Sequence, residues 1–367
     1  MSLFLHVVGA RPNFMKAAPV IRALDARRVD QYLVHTGQHY DTAMSGVFFD
    51  ELRLPRPDVD LGIGSGSHAV QTARIMTAFE PVAQALCPAF VVVYGDVNST
   101  MAASLVASKL SIPVAHVEAG LRSFDNAMPE EINRRVTDLL SDVLLVTAPE
   151  GIENLHSEGV PDTRIHFVGN PMIDTLLSNL DRFDSERLIS QLGLAVPYAA
   201  VTMHRPSNVD DPAAASRTVL MLKQLSELVT VVLPLHPRGR ASLASAGLES
   251  SERLRVIEPL SYLDFISLVR GAAVVVTDSG GIQEETTVLD VPCLTVRRNT
   301  ERPITISHGT NRLTEPEHVS ALVAGILDGS WRAPTERPPL WDGHASERIA
   351  NTLTSHAVSA ITGDHPD

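Results

Sequence analysis

VVVTDSGGIQEETTVL, residues 274–289, is the stretch whose reading decides the fold. Three consecutive valines make a short run with no polar alternation, which is the signature of a strand buried on both faces. Asp278, Ser279, Gly280 and Gly281 end it, and a helical stretch starts at once. A strand handing over to a helix through so short a turn is half of a βα unit of a parallel sheet. Glycines let backbone amides approach a ligand, and a helix amino terminus offers unpaired N–H groups and a positive dipole end. Ser279, Gly280 and Gly281 therefore suit a phosphate, and Glu285, one turn in, suits the hydroxyls of a ribose. A plain glycine turn closing a βα unit explains the same four residues, so this stretch leaves both readings open.

The same grammar runs outward in both directions. Toward the amino terminus, LFLHVVG, QYLVHTG, FVVVYGD, PVAHVEAG, DVLLVTA and RIHFVGN read as buried strands, then AAVTM, TVVLPLH and RVIEP; PCLTV follows on the other side. Helix-length segments such as HAVQTARIMTAFEPVAQAL lie between them. Eleven strands exceed one comfortable sheet, and the break falls near GNPMIDTLLSNLDRF. The expectation is an α/β chain of two Rossmann-like, doubly wound domains, residues 1–170 and 171–345. A terminal helix and tail occupy residues 346–367. Ligands of open α/β sheets bind outside the carboxyl ends of the strands, so two facing sheets predict a site in the cleft between them.

Composition narrows the function. Of 367 residues, 30 are Lys or Arg and 43 are Asp or Glu, for a net charge of −13. That balance argues against nucleic acid or an anionic membrane surface as partner. A local Arg cluster still leaves room for an anionic small molecule. Cys87 and Cys293 stand far apart in apolar company, which excludes a disulfide framework and a thiolate zinc site and reads as two buried structural thiols. No stretch approaches the roughly 20 apolar residues that span a bilayer, and MSLFLHVVGARPNF does not read as a signal peptide. The expected location is the cytoplasm.

Applied strand by strand, the strand-end rule collects a set of charges. Arg11 and Lys16 follow the first strand, Asp96 follows FVVVYG, and Glu118 and Arg122 follow VAHV. In PEEINRR, Pro129 suits a first helical turn, and Ile132, Val136, Leu139 and Val143 form one apolar stripe expected to face the core. Glu130 and Arg134 then fall on the opposite side, free to serve a site. An exposed Glu–Arg pair at this spacing is worth only about 0.2–0.5 kcal/mol, so the helix alone proves nothing. Beside Asp96 and Glu118 it favours a site. In the second half, His204 and His236 end adjacent strands, with Arg205, Arg238, Arg297, Arg298 and Arg302 near them. Several Arg with an amide nest describe a diphosphate site better than a metal site. No Walker motif, G-x-G-x-x-G or G-x-S-x-G occurs, and His and carboxylate spacing suggests no metal.

The phrases GARPNFMKAAPV, TGQHYD, YGDVNST, HVEAGLR, PEEINR, GNPMIDTL, HRPSNVD, TDSGGIQEE and RRNTERP, in that order, resemble the non-hydrolysing UDP-N-acetylglucosamine 2-epimerase family. The resemblance implies a glycosyltransferase-B-like fold, UDP held mainly by the second half, a homodimer, no cofactor, and a terminal helix crossing back to the first half. It implies reversible inversion at C2 between UDP-GlcNAc and UDP-ManNAc, by elimination of UDP to 2-acetamidoglucal and re-addition. Asp96, Glu118 and Glu130 match the family's essential acids, and Arg11, Lys16 and His204 match groups supporting substrate and leaving group; Arg134 is expected in the substrate-binding set. His236, Ser279, Gly280, Gly281, Glu285 and Arg302 match the UDP set. Rival readings are a hydrolysing relative releasing free ManNAc, a glycosyltransferase of the same fold, and a sensor binding a nucleotide sugar without turnover.

Overall fold

The computed structural model describes residues 2–38, 48–235, 237–331 and 336–362. It comprises two compact units, Met1–Ser178 with Pro339–Asp367, and Asn179–Pro338.

The first unit carries β1 (Phe4–Val8), α1 (Arg11–Asp25), β2 (Gln31–His35), β3 (Val59–Asp60), α2 (His68–Leu86), β4 (Phe90–Tyr94), α3 (Asn98–Lys109), β5 (Val114–Ala119), α4 (Pro129–Leu140), β6 (Val143–Val146), α5 (Pro149–Ser157), β7 (Ile165–Phe167) and α6 (Pro171–Leu177). Its seven strands are parallel in the order β3-β2-β1-β4-β5-β6-β7. The second unit carries α7 (Ser185–Leu192), β8 (Tyr198–Thr202), α8 (Pro212–Leu228), β9 (Thr230–Pro234), α9 (Pro237–Ser245), β10 (Leu254–Ile257), α10 (Tyr262–Gly271), β11 (Val274–Thr277), α11 (Gly280–Val288), β12 (Cys293–Val296), β13 (Asn311–Thr314) and α12 (Val319–Leu327). Its parallel sheet runs β10-β9-β8-β11-β12-β13. Both sheets have the doubly wound order, in which the chain reverses direction across the sheet between two neighbouring strands. That switch point lies between β1 and β4 in one unit and between β8 and β11 in the other.

The continuous apolar runs behave as their composition requires. In β11, Val274 and Val276 pack into one core with Leu222, Leu225, Val231 and Leu294, while Val275 packs into the other with Tyr198, Leu268 and Cys293. Burial on both faces leaves no room for polar alternation. The two strands missing from the sequence reading are β3, only two residues long, and β13, the polar run Asn311–Thr314 at a sheet edge.

The last helix, α13 (Ala345–Thr362), belongs to the first unit. The Ala345 and Ser346 amides donate to the Asp174 carboxylate at 3.1 and 2.6 Å, and Arg348 Nε donates to the Val168 carbonyl at 2.8 Å. Burial pushes the Asp174 carboxyl up, against the pull of those amides.

Two expectations fail. Cys87 is exposed at the left-handed carboxyl cap of α2, and only Cys293 is buried. The α4 stripe points the other way: Ile132 is 50% and Leu139 75% exposed, while Glu131, Asn133, Arg134, Thr137 and Asp138 are buried. Polar pairing explains the inversion. Glu131 accepts from the Ser123 amide and hydroxyl (2.8 Å each) and the Phe124 amide (3.1 Å). Asp138 accepts from the Gly120 amide (3.1 Å) and Arg122 (2.7 Å), and meets His116 Nδ1 at 2.6 Å. Turning α4 to bury Ile132 and Leu139 would strand these partners without water, at a cost per group comparable to an apolar side chain's gain.

Candidate active site

At the first switch point the turns after β1 and β4 are stitched together by Asn13. Its amide oxygen accepts from the Gly9 and Ala10 amides at 3.0 and 3.1 Å, and its Nδ2 donates to the Tyr94 carbonyl at 2.7 Å. Gly95 follows with φ +62°, and a Cβ there would stand 3.0 Å from Lys16 Nζ. Lys16 Nζ lies 2.5 Å from Glu118 Oε2. Glu118 is the extra residue of an irregularity in β5 between Val117 and Ala119, with φ +80°. A bulge re-aims a side chain, and a non-glycine residue held at positive φ costs about 1–3 kcal/mol, a pattern concentrated at functional sites.

Asp96 is held by the inward face of α4. Asn133 Nδ2 donates to its carbonyl at 2.9 Å, and Arg134 Nη2 donates to its carboxylate. Arg134 Nη1 also reaches Glu131 at 2.5 Å. Glu130, one residue earlier, is half-buried. Arg11 is half-buried with its guanidinium carbon 4.0 Å above the Phe48 ring. Behind this layer, His116 Nε2 lies 2.8 Å from the Gly95 carbonyl while its Nδ1 faces Asp138. Burial alone would raise the Asp138 carboxyl; the His116 and Arg122 charges and hydrogen bonds hold it below the usual carboxylate range. Arg122, expected at the site, is buried between Asp138 and Glu158 and serves that supporting layer.

The second unit repeats the construction at its own switch point. Thr202 and Thr277, register partners on β8 and β11, touch through their hydroxyls at 2.7 Å. Asp278 is fully buried and its carboxylate accepts from the His204 and Arg205 amides (3.1 and 2.9 Å) and Asn208 Nδ2 (3.0 Å). It also meets His204 Nδ1 at 2.9 Å. Burial would raise the Asp278 carboxyl, and these partners together hold it below the ordinary value. The Ser279 amide donates to Thr277 Oγ1 at 3.0 Å, and Gly280 and Gly281 open α11, where the first amides have no intrahelical acceptor. Arg302 approaches this turn: a Cβ on Gly280 would lie 2.5 Å from Arg302 Nη1. The guanidinium is paired with Glu284 at 3.0 Å and with Glu301, and Glu301 also holds Arg297 at 2.7 Å. Glu285 is buried one turn into α11.

The structure thus gathers Lys16, Asp96, Glu118 and Arg134 in the first unit, and His204, Ser279, Gly280, Gly281 and Arg302 in the second. Arg298 points away, with its side chain exposed and Glu315 at 3.7 Å. His236 and the Arg238 side chain lie outside the described residues. Sequence reasoning passed over Asn13, Asn133, Glu131 and Asp278, although all four stand inside or beside the phrases it singled out. Their signal is position: Asn13 and Asp278 closely follow the ends of β1 and β11, while Glu131 and Asn133 lie in the first turns of α4. Among the described residues no cluster of three or more His, Cys, Asp or Glu could hold a metal ion, and no helix is long and apolar enough to cross a membrane.

The family model that matches the chain, over residues 22–354, is UDP-N-acetylglucosamine 2-epimerase. A UDP-N-acetylglucosamine 2-epimerase of Methanococcus maripaludis is 39% identical over 361 residues, covering 95% of this chain and 97% of the relative. The UDP-2,3-diacetamido-2,3-dideoxy-D-glucuronate 2-epimerase of Pseudomonas aeruginosa is 42% identical over 356 residues, covering 95% and 98%. Among solved structures, the Methanocaldococcus jannaschii UDP-GlcNAc 2-epimerase in complex with UDP-GlcNAc and UDP superposes with a TM-score of 0.90 at 39% identity, covering 97% of this chain and 100% of that one. Two doubly wound parallel sheets in one chain, with this likeness, make the fold class glycosyltransferase-B-like.

Proposed function

We propose that this chain, which belongs to the UDP-N-acetylglucosamine 2-epimerase family of isomerases, interconverts UDP-GlcNAc and UDP-ManNAc without hydrolysing them. The observation that carries the reading is the pair of carboxylates Glu118 and Asp96, each held by a cation, at one switch point. The C2 proton of the sugar is barely acidic, so its removal has to accompany departure of UDP from C1. One carboxylate takes the proton, the C1–O bond breaks with its electrons leaving on the β-phosphate, and a C1=C2 double bond forms, giving 2-acetamidoglucal. Re-addition runs the same steps backward, with C2 protonated on the opposite face. Asp96, Glu118 and Glu130 share the proton transfers, and Lys16 and Arg134 hold the acids they touch in place.

In the second unit the Gly280 and Gly281 amides, Ser279 and Arg302 suit the diphosphate, Glu285 the ribose, and His204 the departing oxygen. Arg11 and His236 join the substrate-binding set. The reaction needs neither metal nor cofactor: both proton transfers and the charge on the leaving group have side chains to serve them. We place it in the cytoplasm, where UDP-sugars are made and used.

We also propose a homodimer, with a second copy covering the outward stripe of α4. Ile132 lines a groove of about 410 Å³ shared with Ala69, Ala73, Met76 and Met101 of α2 and α3. A ridge and a groove side by side on one surface are self-complementary under a two-fold axis.

The 42% identity to the diacetamido-glucuronate enzyme favours a second reading of the substrate, with an acetamido group at C3 and a carboxylate at C6. Supplying each UDP-sugar separately and resolving the products decides between them. An equilibrium of two UDP-linked epimers supports the reaction, and accumulation of free sugar with UDP selects the hydrolysing alternative.

A further inference from the structure

We propose that Asp278 is a positioning residue, which fixes the ring of His204 so that Nε2 carries the proton chemistry at the departing diphosphate. The inference rests on the epimerase reading for the role of His204, and on the geometry of this unit for the pairing itself.

Asp278 accepts more than one hydrogen bond because it does more than one thing. The His204 amide (3.1 Å to either oxygen), the Arg205 amide and Asn208 Nδ2 fasten the turn after β8 to the end of β11. Those bonds would close the turn wherever the imidazole pointed. The remaining bond, 2.9 Å from Oδ1 to His204 Nδ1, acts on the ring alone. A carboxylate only accepts, so Nδ1 must carry a hydrogen and Nε2 is left as the working nitrogen. The ring that results is half in solvent, its side chain 50% exposed, while its carboxylate partner is 0% exposed. An orienting acid out of reach of water and an imidazole presented to it are the arrangement by which a base is held in one tautomer.

Placement gives the pair its meaning. β8 and β11 are the two strands of the switch point, and Asp278 is the residue immediately before Ser279, Gly280 and Gly281. One carboxylate therefore joins the ring of His204 to the turn that suits the diphosphate. In the elimination the bridging oxygen takes the C1–O electrons and accepts a proton from Nε2 of the imidazolium, which leaves the neutral ring with its hydrogen on Nδ1. In the reverse direction the same nitrogen accepts that proton back. Asp278 changes charge in neither direction.

The test uses the full-length protein. In Asp278→Asn an oxygen can still serve Arg205 and Asn208, while the amide NH₂ faces Nδ1 and moves the ring hydrogen to Nε2. We expect kcat to fall about 10²- to 10⁴-fold, the range for a mispositioned acid–base, with the Kd for UDP within about threefold of the parent. In ¹⁵N-histidine-labelled protein, the His204 signals, assigned by their loss in His204→Gln, should report hydrogen on Nδ1 in the parent and on Nε2 in the variant. A kcat within about threefold of the parent would overturn the proposal, as would a loss of UDP affinity matching the loss of kcat. A parent spectrum with His204 carrying hydrogen on Nε2 alone would overturn it even if the variant does not fold. Absence of any turnover by the parent would instead sink the epimerase reading, while the spectra still judge the pair.

Discussion

Lys16 and Glu118 stand 2.5 Å apart, their side chains 4% and 2% exposed, one from the helix after β1 and the other from the end of β5. The strand between them, β4, is followed by Gly95, which has no side chain to separate them. Burying both charges is expensive, and attraction in a low dielectric only offsets the loss of water when geometry is good. A structural reason for such a pair is weak, since an apolar pair of similar volume would fill the space at least as well.

Replacing Glu118 by Gln keeps the shape and removes one of the three carboxylates proposed to share the proton transfers. Turnover should drop by at least about 100-fold, and thermal denaturation should show a loss of no more than about 3–5 kcal/mol from the ammonium left behind. Steady-state kinetics beside a melting curve checks both. Full turnover from a folded variant would show that Glu118 is not part of the chemistry.

Gly280 tolerates no side chain as Arg302 now lies, because the added Cβ would meet Nη1 at 2.5 Å and Glu301 Oε1 at 2.6 Å. Gly280→Ala should displace Arg302 from the turn and weaken UDP binding about tenfold or more, an overpacking cost of about 1–3 kcal/mol. Isothermal titration with UDP measures it; an unchanged Kd would remove Arg302 and this turn from the nucleotide site.

The outward stripe of α4 bears on assembly. Leu139→Glu should halve the mass seen by light scattering at micromolar concentration and leave the melting temperature of the isolated chain within a few degrees, since Leu139 is 75% exposed in the single chain. A parent protein that is already monomeric would dispose of the second-copy proposal.

His6 ties stability to pH. Its Nε2 faces Gln31 Oε1 at 3.0 Å and its Nδ1 the Tyr94 hydroxyl at 2.7 Å, partners that suit a neutral ring. Burial lowers its pKa from 6.5 to about 4. Above pH 6.5 neither state binds the proton and His6 costs nothing. As pH falls below 6.5 the unfolded chain takes it first, so stability declines until about pH 4 and then levels off. At about 1.4 kcal/mol per unit the full loss is about 3 kcal/mol. Urea midpoints between pH 7 and 4 should show this slope, and His6→Gln should flatten it.

The fold was legible because burial on both faces writes itself into composition: the valines of β4, β6 and β11 can belong to little else. The charges at strand ends were legible as positions, but not in their partners: Arg122, just past β5, is buried between Asp138 and Glu158. The orientation of α4 was not legible. Hydrophobic periodicity pointed Ile132 and Leu139 inward, and only the buried partners of Glu131, Arg134 and Asp138 turn the helix over. Asp278 stayed hidden because an Asp before Ser-Gly-Gly reads as a turn residue until His204, Arg205 and Asn208 are seen to converge on it. A two-residue strand such as β3 carries too little sequence to be read at all.

Proton exchange at C2 is the most direct signature of the proposed reaction. UDP-GlcNAc incubated with the protein in deuterated water should, by proton NMR, give UDP-GlcNAc and UDP-ManNAc at equilibrium, both losing the C2 proton signal as solvent deuterium enters. Epimers that keep their original C2 proton, or no UDP-linked product at all, would contradict it.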